Sequence, residues 1–453
     1  MRVWTRWLLL VGLCFGGGVS AQEAPAPTAS DAILDLQDCL RIALRDHPDL
    51  ALAQSGVELA RIEGKSARAS YLPRLDVQTT DSYTFVGRKD SVYVESQELA
   101  YPREAYHDDL HGFGLYLSQN IFDGFAYLHR PRRAKRVLEQ AELGLAVTRE
   151  NVALQVVMAY FQVLKAEQQA EVLAEGLKLS QAQLNLAEER HRLGAGSRVD
   201  VSKALVGVGE DRIAVERQRQ SLAQSMVDLN LALGREPGSP VKVVLVETDV
   251  AGASPPNRLR LADHLQLRRS RASEAIVAED VELAKAGRWP TVAGSIGYSR
   301  QDPEFYKVYS RFDELYSLSF GLRISFPLFD GFSTAAQVES AQARREQVRR
   351  ERVSVRHELK AQLARAEASL KHLRLVAGVE IENVKAATDS LLLAQERYDV
   401  GEGTALEIRD AQLAVTRARL AQVQTRFDLH MASAQLHYAR GDLLETYLDE
   451  GRQ

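Results

Sequence analysis

The chain has 453 residues, 26% of them charged, and a formal net charge of −4 with acidic and basic residues interspersed. This length is sufficient for two or three ordinary domains. The balanced charge argues against a nucleic-acid-binding protein and against a highly acidic segment. Beyond residue 21 the sequence has no run of eighteen apolar residues, so no transmembrane helix is expected there, and any membrane crossing requires β-strands.

The N-terminus has the pattern of a secretory signal peptide. Arg2 and Arg6 precede an apolar stretch at residues 7–15, and small residues follow as far as Ala21. A basic start, a short apolar segment and an A-x-A-like site are typical of a cleaved signal. The alternative, a short membrane anchor, is disfavoured because the apolar stretch is too short to span a bilayer. We therefore expect a signal peptide at residues 1–21 and a mature N-terminal tail at residues 22–35.

Cysteine usage limits how the exported chain is stabilised. Only Cys39 remains if cleavage follows Ala21. A single cysteine excludes an intramolecular disulfide, so stability must come from burial or oligomerisation.

Next along the chain come a helical segment and two alternating segments, and this order occurs twice. The helical segments cover residues 36–70 and 261–287, and each is stopped by a proline. In the strongest of the alternating segments, apolar residues from Leu318 to Phe326 alternate with small or polar ones from Ser317 to Ser325. The four predicted strands cover residues 74–86, 112–122, 291–300 and 316–326. Long polar loops, at residues 87–109 and 301–314, join the members of each pair.

Segments of about ten residues with one apolar and one polar face are typical of outer-membrane barrel strands. The alternative is a half-buried sheet in a soluble domain. Four strands are too few to close a barrel, and an open sheet would leave unpaired edges in the bilayer. Closure therefore requires several copies, and three copies would supply twelve strands around a lumen.

Each strand pair is followed by a long helical segment, and the two segments have the same length. Phe122-Asp123-Gly124-Phe125 recurs as Phe329-Asp330-Gly331-Phe332, 207 residues later, and Gly194 recurs at the same shift as Gly401. The 70 residues between Gly124 and Gly194 contain no proline after Pro131. At 1.5 Å per residue, each segment predicts a helix about 100 Å long.

Glycine-containing turns end both rods, and a second helix follows each turn. The turns are predicted at residues 194–197 and 401–404, because paired glycines at a helix C-terminus permit a left-handed conformation. The organisation that results has four parts after the signal and tail. Repeat one spans residues 36–238, a linker spans 239–260 with a short strand at Val241–Val246, repeat two spans 261–442, and a C-terminal tail spans 443–453.

This arrangement resembles the TolC-like outer-membrane efflux protein family. The residues that carry the resemblance are the two Phe-Asp-Gly-Phe junctions, the end of repeat one at residues 229–238, and the two tips. In the tips, Arg190 and Gly194 are followed by residues 199–201, and Arg397, Tyr398 and Gly401 by Glu407-Ile408. The resemblance covers residues 36–442.

The resemblance implies a mainly α fold with a small membrane β-barrel. In that family a homotrimer forms a twelve-stranded outer-membrane barrel, which a long periplasmic α-helical barrel continues. It implies a channel in the outer membrane of a Gram-negative bacterium that passively conducts drugs, other small molecules or secreted proteins to the exterior. The implied partners are outer-membrane lipid, a periplasmic adaptor and an inner-membrane pump of the resistance-nodulation-division, ABC or major-facilitator type. No nucleic acid and no cofactor are implied.

The same resemblance assigns roles to residues at the tips. It implies a periplasmic aperture lined by carboxylates and closed by hydrogen bonds. The expected aperture residues are Asp200, Tyr398, Glu407 and Asp410. The residues expected to dock the adaptor are Arg190, Gly194, Gly196, Arg397, Gly401 and Gly403. Gly403 occupies the position of the family's latch arginine, so that interaction cannot exist here in the same form, and Arg409 would weaken an acidic ring if it pointed inward.

Two other classes of protein fit the sequence less well. A periplasmic coiled-coil structural or adaptor protein also has long helical hairpins, but the alternating strand pairs and the duplication do not fit it. An enzyme has no support, because neither a phosphate-binding loop nor a nucleophile elbow occurs in the sequence. No metal or cofactor site is expected.

Overall fold

The structure is a computed structural model that describes residues 33–88, 92–94, 97–99, 104–244, 263–310 and 312–449. The predicted signal peptide and most of the predicted linker lie outside these residues. The first half contains β1 Ile33–Leu34, α1 Leu36–Asp46, α2 Pro48–Ala69, β2 Arg74–Val86, β3 Val92–Val94, β4 Gln97–Leu99, β5 Tyr106–Asp123, α3 Ala126–Arg192, α4 Arg198–Ala232 and β6 Lys242–Val243. The second half contains α5 Leu265–Ala286, β7 Thr291–Asp302, α6 Phe305–Ser310, β8 Tyr316–Ser325, α7 Ser333–Asp399, α8 Ala405–Arg440 and α9 Leu443–Asp449.

The main sheet is antiparallel, with strand order β2-β5-β7-β8. Residues directly opposite one another in such a sheet share a face. One cross-strand row is formed by Leu75, Leu117, Ile296 and Phe320. The row beside it on the other face consists of Asp76, Tyr116, Gly297 and Ser319. The alternation in the sequence thus corresponds to one apolar row and one largely small or polar row at this level of the sheet. Nearer the loops, the face of Leu117 also carries Asp81 and His111.

The loops of the sheet differ from the predicted ones. β5 begins at Tyr106, inside the segment expected to be a loop, because its pairing with β2 continues out to Val86. The second predicted loop contains the short helix α6. That helix is held against the sheet by Arg300, which is buried and donates hydrogen bonds to the carbonyl oxygens of Lys307 and Val308. The end of the sheet that carries both loops is therefore more ordered, in its described residues, than composition indicates.

The two Phe-Asp-Gly-Phe junctions have the same conformation. Gly124 and Phe125 have φ of 68° and 71°, and the equivalent Gly331 and Phe332 have 65° and 67°. The aspartate side chain accepts a hydrogen bond from the backbone N–H four residues later in each case, at 2.9 Å for Asp123 and 2.8 Å for Asp330. A side chain at position 124 would also collide with the carbonyl oxygen of Ala286, so glycine is required there. The first junction connects β5 directly to α3, and the second connects β8 to α7 after three further residues.

The helices form one layer that runs away from the sheet. α3 and α7 have 67 residues each, which corresponds to about 100 Å. Next to the sheet the packing order is α2, α3, α5 and α7; beyond the middle of the rods it is α4, α3, α8 and α7. Among the helices that the structure describes, none has an apolar segment long enough to cross a bilayer.

The largest hydrophobic core lies halfway along the rods, where the long and short helices meet. Its most deeply buried side chains belong to α1, α3, α4 and α8: Leu40, Tyr160, Phe161, Leu229 and Phe427. β1 and β6 pair in parallel beside this core. The predicted strand Val241–Val246 is therefore only partly seen, as Lys242–Val243, and its end lies outside the described residues.

The C-terminal segment expected to be a tail contains a helix. Leu443 and Tyr447 of α9 are buried in the same core. A seven-residue helix is too short for its periodicity to be recognised in a sequence, and this helix is stabilised by tertiary packing.

A carboxyl group is partly buried at this level of the molecule. Glu150 of α3 lies beside Asp442 and Glu445, and within the described residues its Oε2 atom has no hydrogen-bond partner. Burial, reinforced by the two neighbouring acids, raises the pKa of Glu150 to about 7, although a hydrogen bond with the backbone of Leu444 opposes the shift. Near neutral pH this group is therefore only partly ionised.

Replacing Phe427 with alanine should destabilise the helical layer strongly. The ring is fully buried and packs on Phe161, and such a truncation costs about 3–5 kcal/mol. We expect a clear fall in the midpoint of thermal unfolding, followed by far-UV circular dichroism in detergent. Lys178→Ala, an exposed position on α3, is the matched control and should leave the midpoint unchanged. Equal midpoints for both variants would contradict the position of the core.

The contribution of Glu150 to the stability of the protein should fall as the pH rises from about 4.5 to about 7, the ordinary and the folded-state pKa of this group. In this interval the Glu150 carboxyl binds more protons in the folded state than in the unfolded state, so through this group raising the pH favours unfolding. The stabilising effect of the protonated group is fully present below pH 4.5 and is lost through pH 7. Glu150→Gln, which cannot ionise, should flatten this part of the pH profile of the unfolding midpoint. An unchanged profile in the variant would exclude Glu150 as its cause.

Candidate functional site

The ends of the two rods farthest from the sheet are built as the same turn. At the first tip, Gly194 has φ of 75°, and the N–H of Ala195 donates to the carbonyl of Arg190 at 2.8 Å. At the second tip, Gly401 has φ of 84°, and the N–H of Glu402 donates to the carbonyl of Arg397 at 2.9 Å. Both are helix C-caps with a left-handed glycine.

The second glycine of each tip is required for a different reason. A methyl group at position 403 would lie 2.9 Å from the backbone nitrogen of Tyr398, and one at position 196 would lie 3.0 Å from Cβ of Arg190. A side chain at either position would therefore require the preceding helical turn to shift. An arginine at position 403 would therefore disturb the turn, in agreement with the absence of the family's latch arginine from this chain.

Two of the predicted aperture carboxylates take part in helix N-caps. Asp200 forms a capping box with Ser197 at the start of α4. Glu407 occupies the equivalent position in α8, where its backbone N–H and its side chain both lie 3.3 Å from the hydroxyl oxygen of Thr404. Glu407 also pairs with Arg397 at 3.5 Å. Both carboxylates thus stabilise the turns, which is compatible with a further role in the assembled protein.

Asp410 differs from these two residues. It lies one turn after Glu407 on the same face of α8 and is exposed. In the part of the chain that the structure describes, its carboxylate forms no ion pair. Among the predicted aperture carboxylates, Asp410 is therefore the one that is exposed and takes no part in an N-cap.

The two tips contact each other through Arg190, one of the residues expected to dock the adaptor, and Tyr398, one of the expected aperture residues. The guanidinium carbon of Arg190 lies 4.1 Å from the ring centre of Tyr398, which is the geometry of a cation–π contact. Arg397 instead donates a hydrogen bond to the carbonyl of Glu402 within its own tip, at 3.2 Å. Tyr398 of the second tip therefore has a partner in the first tip, Arg190.

One cluster near the tips was missed by the sequence analysis. Arg409 of α8 donates two hydrogen bonds to Asp211 of α4, at 2.7 and 2.9 Å, and one to the hydroxyl of Ser180 on α3, at 3.0 Å. Burial disfavours the charge of Asp211, but the hydrogen bonds from Arg409 and Ser180 outweigh it and hold its pKa below the ordinary value. Arg409 therefore points toward α3 and α4, where its charge is neutralised. A comparison of the repeats could have drawn attention to Arg409, because the equivalent position of the first repeat is the uncharged Ser202.

A groove with a volume of about 1000 Å³ lies between α3, α4 and the start of α8. Its lining is mainly apolar and includes Val199, Val206 and Leu406, each more than half exposed. Arg198 and Lys203 add positive charge to it. A surface of this kind, apolar with charges among the lining residues, is suited to binding another protein. Within the described residues, no cluster of three or more His, Cys, Asp or Glu side chains is arranged to hold a metal ion.

These features define a class of protein. They are a sheet with an apolar row on one face, two rods of about 100 Å and two equivalent tips at the ends of the rods. A sequence profile of the outer membrane efflux protein family matches residues 39–235 and 258–442. The chain belongs to this family.

Relatives and solved structures agree with the match. Protein CyaE of Bordetella pertussis is 24% identical over 482 residues, covering 99% of this chain and 96% of the relative. Outer membrane protein TolC of Vibrio cholerae is 25% identical over 441 residues, covering 93% and 94%. The crystal structure of the Vibrio cholerae outer membrane protein VceC superposes with a TM-score of 0.75 at 19% identity, covering 90% of this chain and 96% of that one.

The predicted class and location of the protein are confirmed. It is an outer-membrane channel protein of efflux or secretion, with its helical part in the periplasm. The family consists of channel proteins rather than enzymes. The alternative interpretation, a periplasmic adaptor, is thereby set aside.

Replacing Gly194 and Gly401 with alanine should loosen both tips. A left-handed conformation costs an alanine about 1–2 kcal/mol, so the last helical turns should open more often. We expect faster tryptic cleavage at Arg192 and Arg397, measured by mass spectrometry of timed digests. Gly56→Ala is the control, because that glycine lies inside a helix with open space around it. Cleavage rates equal to those of the control would show that the tips do not depend on these glycines.

Proposed function

We propose that three copies of the chain associate side by side into a conduit, and that each copy supplies one third of its wall. The observation that carries this proposal is the sheet, whose outer strands β2 and β8 each pair on one side only. Unpaired backbone groups are not tolerated in lipid. Pairing β8 of one copy with β2 of the next satisfies both edges, and three copies give twelve strands.

The helical layer supports the same arrangement. α7 forms one lateral border along its whole length, while α2 and α4 form the other. Large apolar side chains are exposed on these borders, among them Leu59 and Ile62 of α2 and Leu392 and Leu393 of α7. Their burial against a neighbouring copy would contribute to association.

The periplasmic aperture of the conduit is proposed to lie at the tips. Glu407 and Asp410 share one face of α8, so threefold symmetry would place six carboxylates around one opening. A ring of carboxylates favours cations. Asp200 and Tyr398 are proposed to support this ring through the N-cap and through the contact with Arg190.

The tips are also the proposed docking surface for a periplasmic adaptor, which links the conduit to an inner-membrane pump. The residues proposed for this role form the two turns: Arg190, Gly194, Gly196, Arg397, Gly401 and Gly403. The groove beside α4 and α8 extends this surface with exposed apolar side chains. Transport through the conduit is passive, and the energy comes from the pump.

Neutralising the proposed ring should change ion conduction. In the variant Glu407→Gln/Asp410→Asn, the purified protein in planar bilayers should lose cation preference and change conductance, because six charges leave the opening. Asp389→Asn, an exposed acid on α7, is the matched control and should conduct like the unmodified protein. Unaltered selectivity in the double variant would exclude the ring. A protein that is monomeric in detergent and does not conduct at all would instead refute the conduit.

A further inference from the structure

In the half of the sheet nearer the rods, the polar face carries little free charge. Residues opposite one another across the strands share a face. On the face of Tyr116, three successive rows are mainly serine and glycine: Gly114, Ser299 and Ser317; Tyr116, Gly297 and Ser319; Ser118, Ser295 and Gly321. Two charged residues of β2 on this face, Arg74 and Asp76, pair with each other at 2.8 Å. Asp123, at the end of β5, pairs with Arg130 at 3.6 Å.

Arg323 of β8 is the exception on this face. It lies opposite Ala293, which in turn lies opposite Asn120, so the register places it on the face of Tyr116. Arg323 is exposed and is the only charged residue of β8. Within the described residues its side chain forms neither an ion pair nor a hydrogen bond. Because an arginine remains protonated at all ordinary pH values, the polar face presents one isolated positive charge here.

The duplication extends to the strands and predicts how neighbouring copies pair in the proposed trimer. Leu75 of β2 lies opposite Leu117 of β5, and the equivalent Val292 of β7 lies opposite Ile324 of β8. The first strand of each pair is related by a shift of 217 residues and the second by 207. The contact between β5 and β7 should therefore recur between β8 of one copy and β2 of the next.

This relation identifies the neighbour of Arg323. Arg323 is equivalent to Tyr116, and Tyr116 lies opposite Gly297. The residue of β2 equivalent to Gly297 is Thr80. The next copy therefore offers a hydroxyl group to Arg323 and no carboxylate. Since Arg323 and Tyr116 are equivalent, three side chains of each kind should alternate around the lumen at one level.

Tyr116 is fixed in position at this level. Its ring lies over two glycines, since a methyl group at position 114 would come within 2.5 Å of a ring carbon, and one at position 297 within 3.1 Å. The side chain remains 37% exposed, and its hydroxyl group can donate a hydrogen bond. The lumen at this level is therefore lined by hydrogen-bond donors of two kinds, guanidinium and phenol.

We infer that three Arg323 side chains, alternating with three Tyr116 side chains, form a binding subsite in the barrel lumen for oxyanion groups of the transported molecule. A guanidinium group presents a planar fork of N–H donors that matches carboxylate and phosphate oxygens. A ring of arginines in a pore favours anions. The preference is opposite to that of the proposed carboxylate ring at the tips. This inference rests on the proposed function.

The first test measures ion preference and block in planar bilayers. Arg323→Gln should shift the reversal potential in a KCl gradient toward stronger cation preference, because three positive charges leave the lumen. It should also weaken severalfold the block by inositol hexakisphosphate, an oxyanion probe. Arg323→Lys is the matched control: it should keep the ion preference of the unmodified protein, since the charge is retained. A conducting Arg323→Gln variant with unchanged reversal potential and unchanged block would overturn the inference and leave the conduit intact.

A second test establishes which face of β8 lines the lumen and does not depend on conduction. A charged, water-soluble methanethiosulfonate reagent should modify Arg323→Cys in lipid vesicles. It should not modify Phe320→Cys, because position 320 lies on the opposite face of the strand. Cys39 will not compete, since it is fully buried and burial raises the pKa of its thiol to about 12. Equal modification of both variants would refute the conduit itself.

A third test measures the effect of Arg323 on the local potential. In Tyr116→Cys, an anionic sulfonatoethyl methanethiosulfonate should react faster, relative to a cationic trimethylammonioethyl one, than in Tyr116→Cys/Arg323→Gln. We expect the ratio of the two rates to fall severalfold when Arg323 is removed, since the guanidinium groups attract the anionic reagent. Tyr116→Cys/Arg323→Lys should retain the higher ratio. Equal ratios in the presence and absence of Arg323 would contradict the subsite.

Discussion

The equal length of the two long helices is the constraint on which the rest of the structure depends. α3 and α7 have 67 residues each and begin from the same left-handed junction. Inserting one residue into either rod would raise its tip by about 1.5 Å and rotate it by about 100°. The tips would then no longer end at one level, and contacts such as that between Arg190 and Tyr398 would be lost. Because the two long helices have the same number of residues, their tips lie at the same level and contact each other.

The duplication fixes geometry but leaves charge free to differ. Helix boundaries, capping positions and left-handed glycines agree between the repeats, because the backbone tolerates few substitutes there. Side chains at the tips agree only in part. Arg190 corresponds to Arg397, but Arg192 and Lys203 of the first tip correspond to Asp399 and Asp410 of the second. A partner that contacts both tips of the chain would therefore meet positive charge at the first tip where the second tip carries negative charge, although the backbone beneath them is the same.

Much of the fold was predictable from the sequence, because its strands and turns are determined by residues that are close together in the chain. The alternation from Ser317 to Phe326 indicated a strand with two unlike faces, and the register with β7 places its apolar members in continuous rows. The turns at Gly194 and Gly401 were recognisable from glycine spacing alone. The helices α6 and α9 were not predicted, because six or seven residues are too few for a period to appear. Their order comes from contacts such as those of Arg300 and Tyr447.

In the candidate site, too, local features could be predicted from the sequence, whereas contacts between distant residues could not. Glu407 and Asp410 could be placed on one helix face from their spacing, and the exposure of Asp410 agrees with that placement. The partner of Arg409 could not be found in this way, since Asp211 is 198 positions away in the sequence. Only the folded layer brings α4 and α8 to the same side of α3. Once it does, the burial of Arg409 follows from electrostatics: a half-buried guanidinium needs a carboxylate, and Asp211 is the carboxylate that meets it with two hydrogen bonds. Arg409 therefore adds no free positive charge between the two acids that flank it, and this is the condition under which an acidic aperture can exist in this chain.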